Sequence, residues 1–233
     1  TDASSTILEI GPGIGSLTKE LSDRYENVVA LEIDHGLIPV LKYTLGDCRN
    51  VTVINEDVMK ADLDALLADA FAEGAVSVCA NLPYNITSPV IMMLLEGNFN
   101  IEQMVLMVQK EAADKLLATP GNKNYRAISV MAGCVCKVTK LLDVSPDCFI
   151  PAPHVTSSVI VLDFYGTEIE SEFFNFVNTV FCARRKKLTS VLKDDKHKQI
   201  AIKTLEELGF LPSARAEQLR PEQIYKIFYE LYR

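Results

Sequence analysis

The stretch T-I-L-E-I-G-P-G-I-G-S-L-T-K-E-L, residues 6–21, decides the fold. Its first five residues are mostly apolar and β-branched, the pattern of a buried strand. Gly11, Gly13 and Gly15 follow at alternate positions with Pro12 among them, and end any regular element. Helix-forming residues then run over 16–25. A strand that passes through glycines directly into a helix opens a βαβ unit. Without a Cβ, such a loop turns tightly and lets a ligand come close to the backbone.

The alternation continues outward from that turn. Residues 27–33 read as a second strand, followed by a helix over about 36–45. Residues 50–55 are a third strand and 62–71 a helix. A fourth strand covers 75–80, and a helix with Pro89 in its first turn covers 88–96. A fifth strand spans 104–109, with a helix over 110–117. This rhythm predicts a parallel sheet with helices on both faces. It then breaks. Residues 128–138, 140–144 and 157–164 read as strands without long helices between them, which would finish the sheet antiparallel. From 166 the pattern is helical, over 171–183, 185–193, 197–208 and 221–231. The expected organisation is a Rossmann-like α/β domain over 1–165 and a small all-helical domain over 166–233.

Composition bounds the class. The chain has 233 residues, 48% hydrophobic and 23% charged, which excludes a disordered or disulfide-stapled chain. No apolar run approaches the roughly 20 residues of a membrane span. The opening T-D-A-S-S-T-I-L-E-I has no secretory-signal pattern. Six cysteines lack metal-site spacing: the one close pair, Cys134 and Cys136, has a single residue between its members and reads as two buried strand cysteines. A reduced cytoplasmic chain without a metal is expected. The net charge of −8 excludes a generic nucleic-acid binder, but it is uneven. Residues 1–165 hold 11 basic against 21 acidic side chains, net −10; residues 166–233 hold 12 against 10, net +2. Arg184, Arg185, Lys186 and Lys187 form the densest basic cluster, and it is expected to hold RNA phosphates.

Ligands of open α/β sheets bind beyond the carboxyl ends of the strands. Four strand ends here carry chemistry. The first is the glycine loop over residues 9–15. It lacks the G-K-[ST] of a phosphate loop, and its G-x-G-x-G spacing departs from the dinucleotide pattern. The second is Glu32, placed to accept hydrogen bonds from ribose hydroxyls. The third is N-E-D at 55–57, where Asp57 can accept from an adenine amine. An adenosine without a demanding phosphate site suggests S-adenosylmethionine. The fourth is N-L-P-Y at 81–84. An amine on a base is a poor nucleophile because its lone pair is delocalised. The Asn81 side-chain oxygen and the Leu82 carbonyl can hold both N–H groups and favour a pyramidal nitrogen. Tyr84 offers a stacking face for a flipped base.

E-I-G-P-G-I-G-S-L-T, V-A-L-E-I-D, E-D-V, A-N-L-P-Y-N-I, V-L-M-V-Q-K-E-A-A-D-K-L, F-I-P-A-P-H-V-T-S-S-V and F-C-A-R-R-K-K-L, in this order, resemble the rRNA adenine N6,N6-dimethyltransferases. The resemblance runs from about residue 6 to the C-terminus. It implies a class I S-adenosylmethionine-dependent methyltransferase domain and a small C-terminal helical domain. It implies dimethylation of two adjacent adenosines near the 3′ end of small-subunit rRNA within an assembling ribosomal subunit, by a monomer. It places Glu9, Gly11, Gly13, Gly15, Glu32, Ile33, Asp57, Val58 and Asn81 at the cofactor. It places Asn81, Leu82, Pro83 and Tyr84 at the target base, with Phe149 as a second aromatic against it.

The sequence departs from the family in places. Family members usually have glycine after the tyrosine at 125, whereas this chain has Arg126. His154 and Thr156 stand where lysine and aspartate are frequent. A basic segment with a Q-N-F-L motif precedes the glycine loop in the family. This sequence opens after that point, so weaker cofactor binding and still weaker methyl transfer are expected. Three other readings compete, one of them a protein glutamine or DNA adenine methyltransferase, which shares an N-P-P-Y-like tetrapeptide and against which F-I-P-A-P and R-R-K argue. Erythromycin-resistance methyltransferases of large-subunit rRNA carry N-I-P-Y, against which Leu82 argues. A non-catalytic RNA-binding or assembly factor on the same fold is opposed by the intact N-L-P-Y and glycine loop.

Overall fold

The computed structural model describes residues 6–233. The reading of the opening as free of a secretory signal lies partly outside them, on 1–5. The chain divides into two compact units. One holds the chain up to Ala113 together with Thr139–Gly166; the other holds Asp114–Val138 and Thr167–Arg233. The division expected at 165/166 falls next to the second junction. It did not foresee that Asp114–Val138 groups with the C-terminal helices.

Among the described residues there are seven strands: β1 (Thr6–Ile10), β2 (Asn27–Leu31), β3 (Val51–Ile54), β4 (Val76–Asn81), β5 (Ile101–Gln109), β6 (Cys136–Val144) and β7 (Ser157–Phe164). They form one sheet in the order β3-β2-β1-β4-β5-β7-β6. The pairs from β3 to β5 are parallel, and β7 runs antiparallel to β5, as the sequence indicates. Between the first five strands lie α1 (Ser16–Ser22), α2 (Ile38–Thr44), α3 (Leu63–Leu66), α4 (Ala68–Glu73) and α5 (Thr87–Glu96); α6 (Lys110–Leu116) follows β5. Every residue of β1 is buried, which requires cover on both faces. The helix expected over 62–71 is two short helices that meet at Leu67.

Register builds the site. Ile10 lies opposite Leu31 of β2 and opposite Ala80 of β4. The next residues, Gly11, Glu32 and Asn81, therefore leave three neighbouring strands at one edge. The chain runs outward from β1 to β3, then returns on the far side of β1 as β4. That reversal is the topological switch point where such sheets bind ligands.

The second unit contains α7 (Ala127–Val135), α8 (Ser171–Cys182), α9 (Asp195–Glu207) and α10 (Pro221–Tyr232). Its core is aromatic: Phe173 and Phe176 of α8 lie 5.4 and 5.8 Å, centroid to centroid, from Phe228 of α10. Tyr125 is buried, donates to the Leu219 carbonyl at 2.9 Å and meets Phe181 edge-on. Two expectations are corrected here. The strand expected over 128–138 is α7, with β6 starting only at Cys136, so Cys134 is helical. A short apolar run buried on most sides has no period to separate helix from strand. Ser129 settles the start of α7, accepting the Arg126 N–H at 2.9 Å and donating to the Lys115 carbonyl. The helix expected over 185–193 shortens to a single 3-10 turn, Leu188–Ser190. Clustered like charges disfavour a helix there. Lys187 bridges Arg215 antiparallel instead, and the Leu188 N–H bonds to Ala214.

Candidate active site

The glycine loop begins where β1 ends. Gly11, Gly13 and Gly15 have φ of 73, 59 and 89°, a region other residues occupy at a cost. The Gly11 N–H bonds to the Leu31 carbonyl at 2.9 Å, fixing the loop to β2. A Cβ on Gly13 would meet nothing within 4 Å, whereas one on Gly15 would lie 3.1–3.2 Å from Leu41, Thr44 and Leu45. Gly13 thus leaves open space for a ligand, and Gly15 lets α1 approach α2. Ile14 is 60% exposed in this loop, and Ile33, after β2, is 67% exposed.

Glu32 joins the loop to β2. Its Oε2 accepts the Gly13 N–H at 3.1 Å and its Oε1 the Asp34 N–H at 2.8 Å. Each oxygen keeps a second lone pair for a ribose hydroxyl. Asn55, after β3, donates to the Glu32 carbonyl at 2.7 Å and contacts His35 Nδ1 at 2.9 Å. This tie was not read from the sequence; only the neighbouring acids stood out there. Asp57 accepts the Met59 N–H through Oδ1, and its Oδ2 lies 3.8 Å from the exposed Lys60 ammonium. Val58 is buried.

Glu9 lies inside the sheet opposite Cys79. It is 1% exposed, and its Oε2 has no hydrogen-bond partner among the described residues. Burial pushes its carboxyl above the usual range, the adjacent Thr18 hydroxyl pulls it partly back, and the Glu32 charge pushes it up again. Burial, then the Glu9 charge, pushes the Cys79 thiol up to about 11, so it is no nucleophile at neutral pH. An orphaned carboxyl oxygen, an open Gly13 and the Glu32 acceptors fit a group with an ammonium, a ribose and an uncharged base.

Asn81 ends β4 and is exposed, while Leu82 beside it is 1% exposed. The Leu82 N–H bonds to the Met107 carbonyl of β5 at 3.2 Å. The Pro83 carbonyl accepts from the Ile86 N–H and the Thr87 hydroxyl, which turns the chain into α5. Tyr84 Oη lies 3.0 Å from Ser157 Oγ, and Ser157 is buried at the start of β7. Ser157 was not singled out in the sequence, because its role depends on β7 returning beside β5, with Ser157 opposite Gln109. Phe149 is half-buried and closes the 3-10 turn Pro146–Cys148 through its N–H to Pro146. His154 is exposed.

In the second unit the basic cluster is not uniform. Arg184 is half-buried and tethered: its Nη1 donates to the Lys123 and Tyr125 carbonyls and lies 3.4 Å from Glu217. Arg185, Lys186 and Lys187 are exposed.

A family model described as ribosomal RNA adenine dimethylase matches residues 2–233. The ribosomal RNA small subunit methyltransferase A of Alkaliphilus metalliredigens is 42% identical over 225 residues, covering 93% of this chain and 78% of that protein. The protein of the same name from Bacillus mycoides is 40% identical over 230 residues, covering 94% and 79%. A dimethyladenosine transferase from Plasmodium falciparum superposes with a TM-score of 0.81 at 26% identity, over 98% of this chain and 90% of that one. The 23S rRNA methyltransferase ErmE gives 0.73 at 25% identity, over 99% and 92%.

Proposed function

The chain belongs to the ribosomal RNA adenine dimethylase family, and from that premise we propose that its strand-end site transfers methyl groups to the N6 amines of adenosines in rRNA. It is an S-adenosylmethionine-dependent rRNA adenine N6,N6-dimethyltransferase of the small-subunit type. The observation that carries the reading is the shared edge of Gly11, Glu32 and Asn81, which sets N-L-P-Y beside a glycine loop suited to adenosine. The small-subunit assignment is supported by relatives of that name at 40–42% identity and by Leu82.

S-adenosylmethionine supplies, when bound, a methyl group on a sulfonium that a neutral amine can attack. Glu32 holds the ribose, Asp57 and Val58 the adenine ring, Ile33 and Ile14 its face, and Glu9 the ammonium end. The Asn81 side-chain oxygen and the Leu82 carbonyl accept the two N–H groups of the target amine. Held so, the nitrogen is pyramidal and its lone pair aims along one direction, so positioning and local electrostatics carry the catalysis. No strong base is required, because the nitrogen proton is acidic once methylated. Tyr84, fixed by Ser157, stacks the flipped base, and Phe149 covers it from the loop before β7.

The RNA is taken while the subunit is still assembling, when the target adenosines can leave their stacks. Arg185, Lys186 and Lys187 hold its phosphates. The test is mass spectrometry of nucleosides after incubation with immature small subunits. N6,N6-dimethyladenosine is expected; methylation at another adenine atom, or of another base, would contradict the reading.

A further inference from the structure

We infer that Arg126 and Arg184 form a paired-guanidinium cradle for one RNA phosphodiester, with Arg185 and Lys186 beside it. The inference rests on the rRNA reading and adds a residue that the reading does not contain.

Arg126 and Arg184 are 58 positions apart, yet their head groups converge. Arg126 Nη1 donates to the Lys123 carbonyl at 2.5 Å and to the Tyr125 carbonyl at 3.0 Å. Arg184 Nη1 donates to the same two oxygens, at 3.3 Å each. Two permanent cations thus sit side by side on two shared acceptors. Among the described residues, the carboxylate paired with Arg184 is Glu217, at 3.4 Å, and it is shared with Arg215 at 3.8 Å. Arg126 has no carboxylate partner among the described residues. A cavity of about 630 Å³ opens on the pair. Four of its lining residues, Arg126, Arg184, Arg185 and Lys186, are cationic, none is acidic, and Phe181 forms part of the wall.

A shared-carbonyl anchor leaves most of each guanidinium fork free. Five N–H donors in a plane suit the two unesterified oxygens of a phosphodiester, which then offset the repulsion between the arginines. An isolated Arg184 would be a structural strut. Arg126 beside it turns that strut into half of an anion site. A phosphodiester is favoured over a free anion because Arg185, Lys186 and Lys187 continue the positive surface beyond the pair, as a polyanion requires.

The experiment is fluorescence anisotropy of an rRNA hairpin across a salt series, for the wild type, Arg126→Gln and Arg126→Lys. Arg126→Gln is expected to lower the slope of log affinity against log salt by about one, and Arg126→Lys to restore most of it. An unchanged slope in Arg126→Gln would overturn the cradle. So would equal loss of affinity in both variants accompanied by lower melting temperatures, which would make Arg126 purely structural. RNA release by inorganic phosphate beyond that by chloride at fixed ionic strength would assign the site to a free anion and also overturn it. A wild type that methylates no rRNA, yet shows the slope difference, would sink the enzymatic reading and leave the cradle standing.

Discussion

Asn81 is exposed at the last position of β4, and the residue after it is locked under β5. A polar side chain on a rigid strand end is well placed to act on a ligand without supporting the fold. Asn81→Ala should therefore cost roughly 10² to 10³ in turnover, by comparison with removal of one oxyanion donor. Calorimetry with S-adenosylmethionine should show affinity falling far less than turnover, since Asn81 also borders the cofactor site, and parallel loss of binding and turnover would count against the role. Glu9 permits a test by pH. Its raised pKa means that the folded state prefers the protonated acid. That contribution to stability is whole below the ordinary value of 4.5 and is lost as pH rises through the folded-state value. Denaturant melts from pH 4 to 8 should show Glu9→Gln gaining on the wild type as pH rises; parallel curves would show that the burial is not felt. At this scale the sequence was informative where chemistry is local. Glycines, Glu32 and N-L-P-Y announce themselves by type and spacing, whereas Ser157 and Asn55 act through partners 73 and 23 positions away.

β1 to β5 were legible because each alternates with a helix and ends at a turn. α7 was not, since its residues suit a buried strand as well as a buried helix, and contacts decide between them. Gly133 marks one such contact. A Cβ there would stand 2.7 Å from Pro221 Cγ, where α7 meets the start of α10. Gly133→Ala gains up to about 1 kcal/mol of helix propensity but must push a rigid proline ring aside. Overpacking of this kind costs roughly 1–3 kcal/mol, so a net loss of stability of about 1 kcal/mol is expected. Thermal melts read it as a Tm lower by a few degrees. A raised Tm would show that α10 yields at no cost. The 185–193 stretch failed as a helix for a different reason: its clustered like charges disfavour one, and Lys187 pairs instead with Arg215, 28 positions on.

Across the whole molecule, the two units separate charge more sharply than the two halves of the sequence. The first unit carries 7 basic and 20 acidic side chains, −13; the second carries 16 and 11, +5. A net −8 protein can thus present a basic unit to a polyanion. Sequence order concealed part of this, because Lys115, Lys123, Arg126 and Lys137 precede the expected boundary. They join the second unit through contacts such as that of Tyr125 with Leu219, 94 residues away. The central claim is that one site methylates small-subunit rRNA, and substrate choice tests it most directly. Labelled methyl transfer would be followed on immature small subunits beside free large-subunit rRNA, with the modified positions mapped. The expected result is dimethylation of two adjacent adenosines in the small-subunit RNA and none in the large-subunit RNA. Label in the large-subunit RNA, or in neither, would contradict it.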